Sequence, residues 1–215
     1  MTWQLLEAAW HETAARAGLA ETGAAAVFKD LCRRYSEPGR AYHNLDHIAA
    51  MLDTITGLRY MVHNDVAVRL AVWFHDAVYD PRRADNEEQS AVFATTVLSR
   101  ASVSPQSLTP IGRLILATKT HQAAPDDTDC QLLIDADLAT LGASAADYDR
   151  YARAIREEYA WVPEQDYRAG RRRILEGFLE RERLFYMPPL FERLEMSARA
   201  NLRREIEGLK DPQTP

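Results

Sequence analysis

Two side chains that could bind a metal ion follow a strongly apolar segment of the chain. His75 and Asp76 come directly after the run Leu70–Phe74. An imidazole and a carboxylate are costly to bury in such surroundings unless a positive charge compensates them. Imidazole nitrogen and carboxylate oxygen together suit zinc, manganese, iron and magnesium. The doublet therefore indicates a divalent cation.

Two upstream histidines strengthen this interpretation. His43 and His47 are four residues apart, so on a helix they would lie on one face about one turn apart. Apolar residues at helical spacing after His47 place that face near the core. A single histidine there would indicate a hydrogen-bonded core residue, whereas two histidines followed by the His-Asp doublet favour a site.

A downstream aspartate completes the candidate set. On a helix, Asp137 has apolar neighbours one turn away, such as Leu133 and Leu141. An ionised carboxylate there is unfavourable unless a metal or an arginine pairs with it. Asp135 points about 200° around the helix from Asp137, so only one of the two can face a shared site. We favour Asp137 as the ligand and keep Asp135 as a supporting residue.

Helices are expected to position these groups, because apolar residues recur at helical spacing almost throughout and no strand pattern is apparent. The sequence predicts one all-α domain over residues 1–210, a bundle of about eight to ten helices, with a polar tail at 211–215. The predicted helices cover residues 3–18, a segment ending at 35, 43–59, 65–76, 86–100, 109–119, 129–142, 145–160, 164–182 and 189–208.

Composition excludes several classes of protein. The net charge of −6 argues against a duplex nucleic-acid binder, although the arginine-rich segment 168–173 is dense enough to meet an anionic substrate. No run of about twenty apolar residues predicts a membrane span. The start of the chain lacks a secretory signal pattern, and Cys32 and Cys130 are interpreted as free thiols. We therefore expect a cytoplasmic monomer or homodimer.

The pattern of His47, the doublet His75-Asp76 and Asp137 resembles the HD superfamily of metal-dependent phosphohydrolases, helical proteins named for that doublet. The similarity is greatest to a bacterial branch known only as predicted HD phosphohydrolases, and it spans residues from about 40 to 185. The segments that carry it are Tyr42–Ile48, Phe74–Tyr79, Asn86–Ala91, Thr118–His121, Asp135–Leu138 and Gly170-Arg171. The resemblance implies an HD-type helical bundle with His47, His75, Asp76 and Asp137 as metal ligands.

The segment from His43 to His47 is also similar to the His-Asn-x-x-His signature of cyclic-nucleotide phosphodiesterases, a distant branch of the same superfamily. In that branch the first histidine donates a proton and the second binds metal, which implies His43 as the acid here. The phosphodiesterase pattern beyond the His-Asp doublet is not found. Specificity for cyclic nucleotides therefore does not follow.

The implied chemistry is hydrolysis of a phosphate ester. Four ligands of mixed type leave positions for water and substrate on one or two divalent ions, with Mn, Mg, Zn, Co, Ni and Fe all open. An activated water would attack the phosphorus, and His43 would protonate the departing alkoxide. Asp76 would orient the water or bridge to a second ion.

Five further residues have open alternatives. His121 would bind a second metal, bind phosphate or cap the preceding helix. Lys119 and Arg171 would bind phosphate, although exposed lysines and solvated arginines are common. Glu87 would contribute to a second metal site, orient a ligating group or simply favour a helix start. Asn44 would orient a ligand in the same way or cap its helix.

The sequence thus predicts a phosphohydrolase acting on a small phosphorylated metabolite, with a nucleotide favoured and the choice between monoester and diester open. Two alternatives remain. One is a di-iron oxygenase of HD type, and the other is a metal-stabilised domain that binds a nucleotide without catalysis. Metal content and turnover would discriminate among the three.

Overall fold

The computed structural model describes residues 2–210, so the predicted polar tail lies outside the described residues. Within this range all regular secondary structure is helical, which confirms the all-α prediction, and none of these helices is long and apolar enough to cross a membrane. The ten α-helices are α1 (Trp3–Arg16), α2 (Glu21–Tyr35), α3 (Leu45–Leu58), α4 (Asp65–Phe74), α5 (Asn86–Arg100), α6 (Pro105–Ala117), α7 (Thr128–Leu138), α8 (Ala145–Glu158), α9 (Glu164–Leu179) and α10 (Pro188–Gly208). Short 3-10 helices cover Arg59–Met61 and Ala139–Gly142.

The described chain divides into two compact units. Unit 1 runs up to Ala136, and unit 2 begins at Asp137. This division falls inside α7, whose last two residues are therefore counted with unit 2. A single domain over residues 1–210 stays a prediction.

Helix α4 is the central element of unit 1. Every residue of Ala67–Phe74 is buried, and α4 packs against α1, α3, α5 and α6. Its Trp73 ring meets Trp10 of α1 and Phe28 of α2 edge-on, at centroid distances of 5.4 and 6.0 Å. Such aromatic pairs contribute beyond their buried area. Because other helices surround α4, the segment that follows Phe74 begins in the interior of unit 1.

Of the helix ends that differ from the predicted ones, two lie at candidate site residues. Helix α3 begins at Leu45 because the side chain of Asn44 caps it, accepting hydrogen bonds from the backbone N–H of Asp46 and of His47. His43 therefore precedes the helix, and the prediction that it shares a helix face with His47 is wrong. Helix α4 ends at Phe74, which makes His75 its C-cap and leaves Asp76 beyond it.

Unit 2 is organised around a buried ion pair. The Arg171 guanidinium donates from Nε and Nη2 to the two carboxylate oxygens of Glu205, at 2.8 and 3.1 Å. Tyr148 donates its hydroxyl to the same carboxylate at 2.5 Å. Burial raises the pKa of Tyr148 far above its usual value, so the hydroxyl stays protonated as a donor. These contacts join α8, α9 and α10.

Gly142→Ala should destabilise unit 2. A Cβ at Gly142 would stand 2.6 Å from the Cβ of Leu194 and 2.9 Å from its carbonyl oxygen, so the backbone of α10 would have to shift. Overpacking of this kind typically costs about 1–3 kcal/mol. Urea unfolding measures the loss.

Gly177→Ala in α9 is the matched control, since a Cβ there meets nothing within 4 Å. Alanine favours a helix interior over glycine by about 1 kcal/mol, so this variant should be as stable as the wild type or more so. Equal free energies of unfolding for the two variants would contradict the close packing of Gly142.

Candidate metal centre

His47 owes its position to the N-terminus of α3. It lies in the first turn of the helix, and its side chain is buried. The side-chain amide of Asn44 donates to the carbonyl of Ala41 at 3.0 Å while its oxygen caps the helix. The cap therefore fixes both the start of the helix and the chain that leads into it, and His47 faces the interior.

The ring of His75 is held by the end of α4. Its Nδ1 lies 2.9 Å from the backbone carbonyl of Val72. Because a carbonyl can only accept, Nδ1 must carry a proton and donate it. In the neutral ring this leaves the lone pair on Nε2, the arrangement found in metal-binding histidines whose other nitrogen is fixed by a carbonyl.

The Nε2 atom of His75 faces the carboxylate of Asp76. Oδ2 of Asp76 lies 2.9 Å from this nitrogen, and the His75 side chain is only 2% exposed. A neutral imidazole nitrogen and a carboxylate oxygen both carry lone pairs, so their close approach requires a positive charge. A proton on Nε2 or a shared metal ion would each supply one.

Three of the predicted ligands come together. One potential ligand atom from each of His47, His75 and Asp137 lies within 4.8 Å of the other two. Metal–ligand bonds of about 2.0–2.2 Å place two atoms on one ion at most about 4.4 Å apart, so small adjustments would let all three bind. Two imidazoles and a carboxylate suit zinc, iron or manganese. These three residues are the candidate metal centre, and their chemistry fits a divalent ion.

The two aspartates of α7 differ in their surroundings. Asp137 is partly exposed and belongs to the candidate metal centre. Asp135 is fully buried at 0% exposure. The structure thus groups Asp137, the residue favoured from the sequence, with the two histidines. Asp76 adjoins the centre through His75, and its role as a fourth ligand stays a prediction.

His43 lies beside the centre without being grouped with it. Its ring centroid is 6.2 Å from that of His47. It stacks on Tyr79, with centroids 4.3 Å apart and ring planes 28° apart. Tyr42 contacts both histidines, at 5.1 Å from His43 and 4.8 Å from His47. Aromatic neighbours therefore hold a third imidazole close to the candidate ligands.

Lys119 already has anionic and carbonyl partners. Its ammonium contacts Oε1 of Glu88 at 2.5 Å and the carbonyl of Ala84 at 2.7 Å, which ties α6 to the start of α5. Glu87 lies beside Glu88 in the first turn of α5, where acidic residues favour the helix dipole. The predicted phosphate-binding role of Lys119 and the orienting role of Glu87 stay predictions.

The remaining predicted residues lie in distinct settings. His121 follows α6 with a positive φ of 49°, a conformation that is uncommon for histidine. Arg171 is engaged in the buried ion pair of unit 2, so a carboxylate already balances its charge. Asn44 caps α3, one of the two roles expected for it. Roles for His121 at a second metal and for Arg171 at phosphate stay predictions.

One buried residue near the centre was not predicted. Arg40 donates from Nη1 to the backbone carbonyls of His43 and Asp76, at 3.1 and 2.7 Å. In the sequence it is one arginine among many, directly after the helix breaker Pro38-Gly39. No pattern of spacing distinguishes it, because its partner Asp76 lies 36 residues away in the sequence.

Neither cysteine side chain is in the thiolate form that binds metal ions. Burial raises the pKa of Cys32 and of Cys130 to about 11. Both therefore stay protonated at neutral pH, whereas the thiolate is the form that binds metals. This agrees with the interpretation of both as free thiols.

No model of a known protein family, no curated protein and no solved structure matches the chain. The resemblance to the HD superfamily therefore depends on the short segments that carry it. The chemistry that this chain can perform therefore depends on the residues of the candidate metal centre.

Replacing either histidine of the centre should abolish metal binding. His47→Ala and His75→Ala each remove a nitrogen ligand. Loss of an outer hydrogen-bond partner of a ligand typically lowers metal affinity about 10–100-fold, and loss of a ligand should lower it further. Titration of the metal-free protein with Co²⁺, with elemental analysis, measures this. His63→Ala is the control, because His63 is exposed and outside the group. Wild-type metal content in both variants would contradict the site.

Substitution of Asp137 should affect metal binding, whereas substitution of Asp135 should affect the free energy of unfolding. Asp137→Asn should weaken Co²⁺ binding with little change in the free energy of unfolding. Asp135→Asn should lower that free energy by about 1–3 kcal/mol, because Asp135 is fully buried and the amide replaces one acceptor oxygen by an NH2 donor that the interior is not arranged to satisfy. Co²⁺ titration and urea unfolding of both variants test this. The reverse order of metal affinities would mean that Asp135 is the ligand.

Proposed function

We propose that this chain is a metal-dependent phosphohydrolase that cleaves a phosphate ester of a small metabolite. The observation that carries the proposal is the grouping of His47, His75 and Asp137, with Asp76 against His75. A set of two buried imidazoles and one or two partly exposed carboxylates leaves coordination positions for water and substrate. The resemblance to the HD superfamily supports this reaction class.

The bound ion and the protein have separate tasks in this proposal. A divalent ion at this donor set would lower the pKa of a bound water and offset charge on a phosphoryl oxygen. The carbonyl of Val72 keeps the His75 ring in the orientation that presents Nε2. The carboxylates of Asp76 and Asp137 add negative charge, which favours retention of the cation.

His43 is the proposed proton donor. Its ring is partly exposed, lies beside His47 and stacks on Tyr79, so it can exchange a proton while keeping its orientation. Histidine titrates near neutral pH, which suits it to protonate a departing alkoxide. The stacking of His43 on Tyr79, which is outside the candidate metal centre, agrees with a role separate from metal binding.

The favoured substrate is a nucleotide, and the favoured location is the cytoplasm. Both are part of the proposal. The metal is open among Mn, Mg, Zn, Co, Ni and Fe, and one or two ions are possible with these donor types.

A substrate screen tests the function directly. Protein stripped of metal and reloaded with each of these ions would be assayed against nucleoside monophosphates and phosphodiesters. We expect turnover that depends on the ion, disappears with a chelator and is absent in His75→Ala. Absence of hydrolysis with every ion would contradict the proposal, as would a di-iron spectrum that changes with oxygen.

His43→Ala should retain metal but lose turnover. General acids typically contribute about 10²–10⁴-fold, and the loss should be largest for alkyl phosphates, whose leaving groups need a proton. An activated aryl phosphate needs little protonation, so its hydrolysis should fall far less. Measurement of kcat for both substrate types, with His63→Ala as control, tests this. Equal losses on the two substrates would contradict His43 as the acid.

A further inference from the structure

Arg40 connects the two segments that flank the candidate metal centre. Its Nη1 donates to the carbonyl of His43, which precedes α3, and to the carbonyl of Asp76, which follows α4. Its Nη2 reaches the carbonyl of Ala77 at 3.4 Å. One guanidinium therefore binds main-chain atoms next to both His47 and His75. The bridged residues lie 36 positions or more from Arg40 on the α4 side, so this is a tertiary constraint.

The guanidinium is buried and its plane is flanked by aromatic rings. The Arg40 side chain is only 3% exposed, and it has a carboxylate partner in Glu37 at 3.6 Å. Its Cζ lies 5.2 Å from the Tyr35 ring and 5.4 Å from the Tyr79 ring, within the range of cation–π attraction. Tyr79 in turn stacks on His43. Arg40 thus reaches the His43 ring through Tyr79 as well as its main chain.

The position has an energetic cost. Nε of Arg40 is buried and has no hydrogen-bond partner among the described residues. An unsatisfied buried donor is unfavourable, more so when charged. The guanidinium thus forgoes one hydrogen bond while Nη1 serves two carbonyls. A residue with a missing hydrogen bond is expected where the geometry that it fixes is important for function.

We propose that Arg40 is a positioning residue for the candidate metal centre. It sets the separation between the segment of His43 and His47 and the segment of His75 and Asp76, and it acts through main-chain carbonyls rather than on ion or substrate. Ligands must be held within about 0.5 Å of their productive geometry to bind an ion well. The expected effect on metal affinity depends only on the candidate metal centre, and the expected effect on turnover rests on the proposed function.

Arg34 provides a matched control for a merely structural role. It also contacts the carbonyl of Ala77, with Nη1 at 3.4 Å, and it also packs on an aromatic ring, with Cζ 3.8 Å from the Phe93 centroid. Its carboxylate partner is Asp30. Its hydrogen bonds in the described residues go to Asp30 and Ala77 rather than to His43 or Asp76. The two arginines therefore share charge, an aromatic neighbour and one acceptor, and differ in the bridge and in burial, since the Arg34 side chain is 22% exposed.

The experiment compares Arg40→Lys and Arg40→Gln with Arg34→Lys. A lysine keeps the charge but is a point donor that cannot reproduce the guanidinium fork. Thermal unfolding establishes folding, Co²⁺ titration gives affinity, and the visible absorption of the Co²⁺ protein reports ligand geometry. We expect Arg40→Lys to bind Co²⁺ about 10–100-fold more weakly with an altered spectrum, since loss of outer hydrogen bonds has effects of this size.

Arg34→Lys should match the wild type in Co²⁺ affinity and spectrum. The proposal is overturned if Arg40→Lys binds Co²⁺ with wild-type affinity and spectrum, or if Arg34→Lys shows the same loss. It is also overturned if neither Arg40 variant folds, because Arg40 would then be a general stabiliser of unit 1. Where only one variant folds, its Co²⁺ affinity and spectrum decide.

Turnover separates this proposal from the proposed function. If the wild type binds Co²⁺ and Arg40→Lys weakens that binding, positioning is supported even when no phosphate ester is hydrolysed. If the wild type hydrolyses an ester and Arg40→Lys retains full metal affinity and spectrum, positioning fails while the function stands. In an active enzyme, Arg40→Lys at saturating metal should lower kcat more than it changes KM, because ground-state contacts with substrate are untouched.

Discussion

The burial of every residue of α4 from Ala67 to Phe74 is the constraint on which unit 1 depends. Four helices pack around it, so its last residue delivers the chain into the interior rather than to the surface. A polar residue at that point must find partners or a cation, because desolvation is otherwise unfavourable. His75 meets this demand on two sides, through the carbonyl of Val72 and the carboxylate of Asp76. The apolar core therefore creates the place where metal chemistry becomes favourable.

Helix termini supply the rest of the arrangement. His75 caps α4 and Asp137 lies in the last turn of α7, so both stand at helix C-termini, where the backbone dipole favours a positive charge. His47 instead comes from the first turn of α3, where the Asn44 cap already satisfies the nearby N–H groups. Two carboxyl-terminal helix ends and one capped start thus surround a position suited to a cation. The carboxylates and two of the three helix ends favour a positive charge there, whereas the N-terminus of α3 does not.

The sequence predicted helix bounds well where hydrophobic periodicity alone determines them, as for α5, whose bounds match. It predicted them poorly where a single capping hydrogen bond determines where the helix starts. The start of α3 depends on Asn44, whose cap excludes His43 from the helix. Helix α6 starts at Pro105, earlier than predicted, because Ser104 caps it. The grouping of His47, His75 and Asp137 followed from residue types and spacing. Arg40 did not, because its role arises from contacts between distant segments and leaves no local pattern.

The aromatic cluster of α1, α2 and α4 shields two of the four tryptophans from water. Trp10 and Trp73 are both at 0% exposure, whereas Trp3 is 53% exposed and Trp161 is 47% exposed. Indole emission moves to longer wavelength in water, so the buried pair will emit at shorter wavelength than Trp3 and Trp161. Trp73 also stands two residues before His75. The protein thus carries an intrinsic fluorophore beside its candidate metal centre, sensitive to events there without any added label.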